Sequence, residues 1–180
     1  MKKLIILISV FFIGCQYRDL SNISIVTMVS IQYEEEFIFT TFNVLPHIEG
    51  NQIDLISSGS DNLFDAVSYN QLMSTDELYF NHITTIIIDE YIFNNIDIVT
   101  EFINKYNINH EVALILVEDV ENTVLYYKDI NPIFTLATTV NNLNEKNLYY
   151  KDFITNNNFS IPYFSYNELP IFNGYKQIKK

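Results

Sequence analysis

The hydrophobic and polar positions of the chain arrange themselves around Leu78–Glu90, which reads L-Y-F-N-H-I-T-T-I-I-I-D-E. From Ile83 to Ile88 every position is apolar or β-branched, and the run stops at two acids. A strand with one wet face alternates, whereas a strand without alternation is buried on both faces. Unbroken β-branching in so short a run favours a strand over a helix. This pattern predicts the central strand of the domain.

Upstream, Ile23, Ile25, Val29, Ile31 and Tyr33 alternate on one face with Thr27 among them, and Phe37–Leu45 is again rich in Phe, Ile, Thr and Val. With Glu34-Glu35-Glu36 as a solvated tip between them, these two runs predict an antiparallel hairpin. Ile53–Ser58 predicts a short strand ended by Gly59. Ser60 or Asp61 is the expected cap of a helix through about Met73, with Leu63, Phe64, Val67 and Leu72 as its apolar stripe.

Beyond the central run, Asn94 or Asn95 is the expected cap of a helix over Ile96–Tyr106. Val99, Phe102, Ile103 and Tyr106 fall at helical spacing there, and Glu101 and Lys105 are placed to pair at i,i+4. Asn107–His110 reads as a turn, and Val112–Val117 (V-A-L-I-L-V) as a second strand without alternation. Strand, helix and fully apolar strand in succession predict a parallel βαβ unit with a right-handed crossover.

Glu118 or Asp119 opens a helix through about Tyr127, and Pro132 interrupts the pattern. Leu136–Asn144 and Leu148–Thr155 read as amphipathic helices, Asn156–Asn158 as a loop, and Ile161–Tyr166 and Ile171–Tyr175 as strands around Pro170. The expected fold class is α/β (α+β mixed). It has a central mixed β-sheet containing a parallel βαβ unit and an N-terminal antiparallel hairpin, with helices packed on it.

Composition agrees with one domain and a sizeable core: 180 residues, of which 48% are hydrophobic and 15% aromatic. The formal charge of -12 excludes a phosphate-neutralising surface, so no nucleic-acid partner is expected. An anionic bilayer would also repel the body of the chain, so attachment to a membrane would need more than surface charge.

The N-terminus supplies it. Lys2 and Lys3 precede the apolar run Leu4–Ile13, broken by Ser9 and ending in Phe12-Ile13-Gly14-Cys15. A basic start, an apolar run too short to span a bilayer comfortably, and a small residue followed by cysteine resemble a bacterial lipoprotein signal. Residues 1–14 are therefore expected to be a signal peptide and Cys15 the site of lipid attachment, with the mature chain facing outward. As the single cysteine, Cys15 has no internal disulfide partner.

Catalytic chemistry has little foothold. His47, His82 and His110 lie far apart without metal-ligand spacing. His82, entering a buried strand, is expected to be structural and bonded to neighbouring backbone. Ser57-Ser58-Gly59-Ser60 has no nucleophile elbow. Asp89 and Glu90 end the central strand where open α/β sheets place ligands, the position a hydrolase with an acidic cleft would use. A solvated strand end is the expectation here. The sequon matches at Asn22 and Asn158 carry little weight behind a lipoprotein signal. No catalytic residue, cofactor or metal is expected.

The order of these features resembles the N-terminal domain of the spore-germinant receptor C-subunit family, the Ger(x)C lipoproteins. Gly14-Cys15 is followed by the short charged turn Gln16–Leu20, and Ile23–Tyr33 is similar to the family's first strand. Ser60–Val67 is similar to its first helix. Leu78-Tyr79-Phe80-Asn81-His82 through Ile86–Glu90 is similar to its central block, and Val112–Val117 to its next strand. Ile161-Pro162 followed by Asn173-Gly174-Tyr175 looks like the entry to the family's next domain. The chain departs from the family at Gln16-Tyr17, where a tryptophan is usual, at Asn81 in place of glycine, and at Lys105-Tyr106-Asn107 in place of an Arg-Asp pair.

The resemblance implies one family-like domain over 15–175, with 176–180 as a tail and the family's later domains absent. It further implies a lipid-anchored, non-catalytic subunit of a spore nutrient-germinant receptor, on the outer face of the spore inner membrane. Integral membrane subunits of A and B type would be its partners, contacted through sheet edges and exposed aromatics such as Tyr17, Tyr163 or Tyr166. The alternative reading is a truncated relative serving as a membrane-anchored lipoprotein binding module outside germination.

Overall fold

The computed structural model describes residues 23–44, 53–129, 149–155 and 158–179. They form an α/β fold around one eight-stranded mixed sheet. β1 (Ile23–Glu34) and β2 (Glu36–Val44) make the expected antiparallel hairpin, turning on Glu35 at φ 65°. β3 (Ile53–Ser60) adds antiparallel to β2. Gly59 does not end it. It lies within the strand opposite Ile38, where a Cβ would come within 2.5 Å of Glu36 Oε1. With β3 extended to Ser60, the cap of α1 (Leu63–Met73) moves from Ser60 or Asp61 to Asn62, whose side chain accepts from Phe64 N at 2.8 Å.

The central stretch is a strand at the middle of the sheet, in the order β3-β2-β1, then β5 (Thr85–Ile88), β6 (Ala113–Val117), β7 (Asn158–Asn167) and β8 (Leu169–Lys179). It is shorter than the apolar run. β4 (Glu77–Tyr79) first pairs with Ile23–Ile25 of β1, a 3-10 turn over Phe80–His82 follows, and β5 (Thr85–Ile88) resumes beside Met28–Ile31. The interruption faces a bulge in β1 between Val26 and Met28, and Thr84 N bonds Thr27 O at 2.9 Å across it.

β5 is parallel to β1 and to β6 (Ala113–Val117), so the βαβ unit is present. Its crossover contains two helices, α2 (Glu90–Asn94) and α3 (Asp97–Lys105). The start expected at Asn94 or Asn95 thus shifts, because Asp89 caps a first short helix ahead of the longer one. Lys105, expected to pair with Glu101, instead holds its ammonium 3.7 Å from the Phe64 ring centroid.

α4 (Val120–Asp129) follows, opened by Asp119, whose Oδ1 accepts from Asn122 N at 2.9 Å. The helix expected over Leu136–Asn144 lies outside the described residues. α5 (Tyr150–Thr155) precedes β7 (Asn158–Asn167), parallel to β6, and β8 (Leu169–Lys179) returns antiparallel around Glu168 at φ 63°.

The core has two layers, one on each face of the sheet. Ile86, Ile88, Leu114 and Leu116 pack with Phe39, Phe102 and Tyr150 under α1, α2, α3 and α5. Ile87, Ala113, Ile115 and Val117 pack with Met28, Phe42, Val120 and Val124 under α4. Alternate residues of β5 and β6 feed opposite layers, which is why neither strand alternates in sequence. No helix among the described residues is long and apolar enough to cross a membrane.

Candidate functional site

Parallel β1, β5, β6 and β7 give the sheet two distinct ends, and each holds a depression. At the carboxyl end a crevice of about 500 Å³ gathers Glu34, Asp89, Glu118, Asp119 and Glu121 beside Tyr166. This is the end where open α/β sheets place ligands. The two best-placed acids are already engaged. Asp89 Oδ1 accepts from Ile92 N at 2.7 Å, capping α2, and its Oδ2 accepts from Tyr33 N at 2.7 Å, tying down the end of β1. Asp119 accepts from both the backbone and the side-chain amide of Asn122. Glu90 reaches outward to Lys176 on β8, at 3.0 Å.

Asp89 is therefore not the solvated strand end expected from sequence but a half-buried tie between two elements. Among the described residues, no group of three or more His, Cys, Asp or Glu side chains converges as metal ligands would.

At the amino end, a groove of about 490 Å³ lies between Asn81-His82 and the residues Asn109 and Glu111, with Tyr149 and Lys151 along its wall. Lys151 Nζ donates to Glu111 Oε1 at 3.0 Å, and this hydrogen bond holds the lysine above its ordinary value. Both side chains are well exposed, so the pair contributes little to stability. His82 does not bond to neighbouring backbone as expected. It is solvent-exposed, its ring 5.5 Å from that of Tyr79. The turn that interrupts the strand at Phe80–His82 carries it out of the sheet.

His110 is exposed, with its ring edge against Tyr150 at 5.5 Å. The serines near Gly59 serve the fold: Ser57 meets Thr40 at 2.9 Å, and Ser58 donates to Ala66 O at 2.7 Å. Of the aromatics expected to make contacts, Tyr163 is half-buried under the Lys176 ammonium, 4.5 Å from its ring centroid. His47, Tyr17 and the lipid-attachment residue Cys15 lie outside the described residues.

α1 holds what periodicity missed. Leu72, expected in its apolar stripe, is 79% exposed, while Asn70 is fully buried. Asn70 Nδ2 donates to Ile56 O at 2.7 Å and Phe39 O at 3.2 Å, and its Oδ1 accepts from Thr41 at 2.9 Å. Tyr69 and Met73 share the outer face with Leu72. Apolar residues at 63, 64, 66, 67, 69, 72 and 73 surround this helix without forming one stripe, so periodicity alone does not say which face is buried.

No curated protein and no solved structure matches the chain. The family described as the spore germination protein N-terminal domain matches residues 16–169, from directly behind Cys15 through the turn into β8. Over that span lie the hairpin, the βαβ unit and the capped helices described above, and the chain belongs to this spore germination family.

Proposed function

We propose that this domain is the lipid-anchored, non-catalytic part of a spore nutrient-germinant receptor, tethered through Cys15 and acting by packing against integral membrane subunits of A and B type. The observation that carries the reading is the family match over residues 16–169, with Gly14-Cys15 and its apolar leader directly ahead. The engagement of Asp89, Asp119 and Glu90 in caps and an ion pair supports a scaffold at the carboxyl end of the sheet.

A thioether-linked diacylglycerol plus an amide-linked chain supplies more than the single acyl group that gives only reversible binding. At about 0.8 kcal/mol per buried methylene, the pair holds the protein at the membrane. The outer face of the spore inner membrane is the location this implies. Labelling with a palmitate analogue and fractionation test the anchor: Cys15→Ala loses the label and leaves the membrane fraction. Retention of both by the variant overturns the anchor. Affinity purification from spore membranes tests the partners, and recovery without any polytopic subunit overturns the receptor role.

A further inference from the structure

We propose that the outer face of α1 at its carboxyl end, formed by Tyr69, Leu72 and Met73, seats on the bilayer surface to which the chain is anchored. The proposal rests on lipid attachment at Cys15. These side chains are 51%, 79% and 61% exposed. At i, i+3 and i+4 they form one contiguous patch. The only charge on the helix is Asp65, in its first turn and so at the other end.

The register of the sheet places this patch next to the tether. Ser58 bonds Ala66, and Asn70 bonds Ile56 and Thr41, so α1 descends toward the start of β3. One residue further, Gln71 Oε1 accepts from Leu78 N, and Leu78 pairs with Ser24. The end of α1 therefore lies at the pole where β1 begins. From Cys15 to Ile23 the backbone spans at most about 28 Å when fully extended, so this pole is the one held close to the lipid.

Charge orients the domain the same way. β1 runs from Ile23 to Glu34, about 36 Å at the rise of a strand, and Glu34, Glu35 and Glu36 stand at its far end. Asp89, Glu118, Asp119 and Glu121 cluster at that end too. With a Debye length of about 8 Å in physiological salt, carboxylates a strand length away add little repulsion at the tethered pole. At the near pole, Asp54, Asp76, Glu77 and Glu111 keep the seat shallow. Headgroup depth suits a tyrosine whose ring is apolar and whose hydroxyl stays wet.

The test uses the full-length chain carrying Leu72→Cys, processed in a bacterial host and reconstituted into vesicles of phosphatidylcholine and phosphatidylglycerol. An environment-sensitive fluorophore is attached at the new thiol, and Met73→Cys serves as a second reporter on the same face. Nitroxide-bearing lipids should quench either label several-fold more strongly than a label at Glu35→Cys on the far hairpin. Equal quenching at Leu72, Met73 and Glu35 on protein that still floats with the vesicles overturns the seat and leaves the anchor intact. Protein that does not float overturns both. Labels shielded from a water-soluble quencher yet out of reach of the lipid nitroxides mean that a second copy or a partner protein covers the face, and the proposal falls.

Discussion

Asp89 joins two backbone donors, Ile92 N at the start of α2 and Tyr33 N at the end of β1. Asp89→Ala removes the cap and leaves Tyr33 N without its acceptor, at a cost of about 2–3 kcal/mol. Asp89→Asn keeps one acceptor oxygen and should lose about half as much. Urea midpoints rank the variants, and equal midpoints for Asp89→Ala and the parent chain would remove the tie from the account.

Two buried asparagines make opposite predictions. Asn70 satisfies two carbonyls and a hydroxyl, so Asn70→Ala should cost at least about 3 kcal/mol. Asn43 is equally buried on β2, yet neither of its amide atoms has a partner among the described residues. Asn43→Val should therefore stabilise by about 1–2 kcal/mol, read in the same titration. A destabilised Asn43→Val would mean that the amide has a role in the fold.

At the scale of elements, two hairpins turn on a glutamate in the left-handed region, Glu35 between β1 and β2 and Glu168 between β7 and β8. Both turns carry a Cβ penalty that glycine would avoid, partly offset by the greater entropy glycine loses. Glu35→Gly and Glu168→Gly should each stabilise by about 0.5 kcal/mol, and the double variant should melt about 2–4 °C higher. Unchanged melting would mean that the turns adjust their backbone at no cost.

Which elements could be read from sequence follows from how locally each is determined. The hairpin β1–β2 and the strands β5 and β6 were legible because alternation, or its absence, directly reports how many faces are buried. α2 was not, because Glu90–Asn94 is too short for a helical period to register. Its cap residue Asp89 looked like a strand end. The stripe of α1 holds at Leu63 and Val67 but fails at its carboxyl end, where a buried asparagine and an exposed leucine reverse the usual inference from polarity to position. Asn70 can be buried because β2 and β3 present carbonyls and a hydroxyl to it, which no window along α1 contains.

For the whole molecule, the charge of -12 is distributed unevenly, with the hairpin tip and the carboxyl-end crevice sharing one pole. Mutual repulsion there should weaken the fold at low ionic strength. Raising salt from about 0.01 M to 0.15 M shortens the Debye length from about 30 Å to 8 Å, and the melting temperature should rise by a few degrees. A melting temperature independent of salt would show that the acids at this pole are already compensated.

Sequence alone determined the class of the fold, its central strand, the βαβ unit and the family, because these depend on periodicities and ordered motifs carried within single segments. It also marked Asp89 and Glu90 as residues to account for. Tertiary structure alone decided what those acids do, since their partners are Tyr33 on one neighbouring element and Lys176 on another, far away along the chain. It decided as well that the run Leu78–Glu90 is broken by a turn facing a bulge in β1, and that Leu72 points outward at the pole where β1 begins. Both are relations between segments, set by register across the sheet, and register is a property of strand pairs that no single strand encodes.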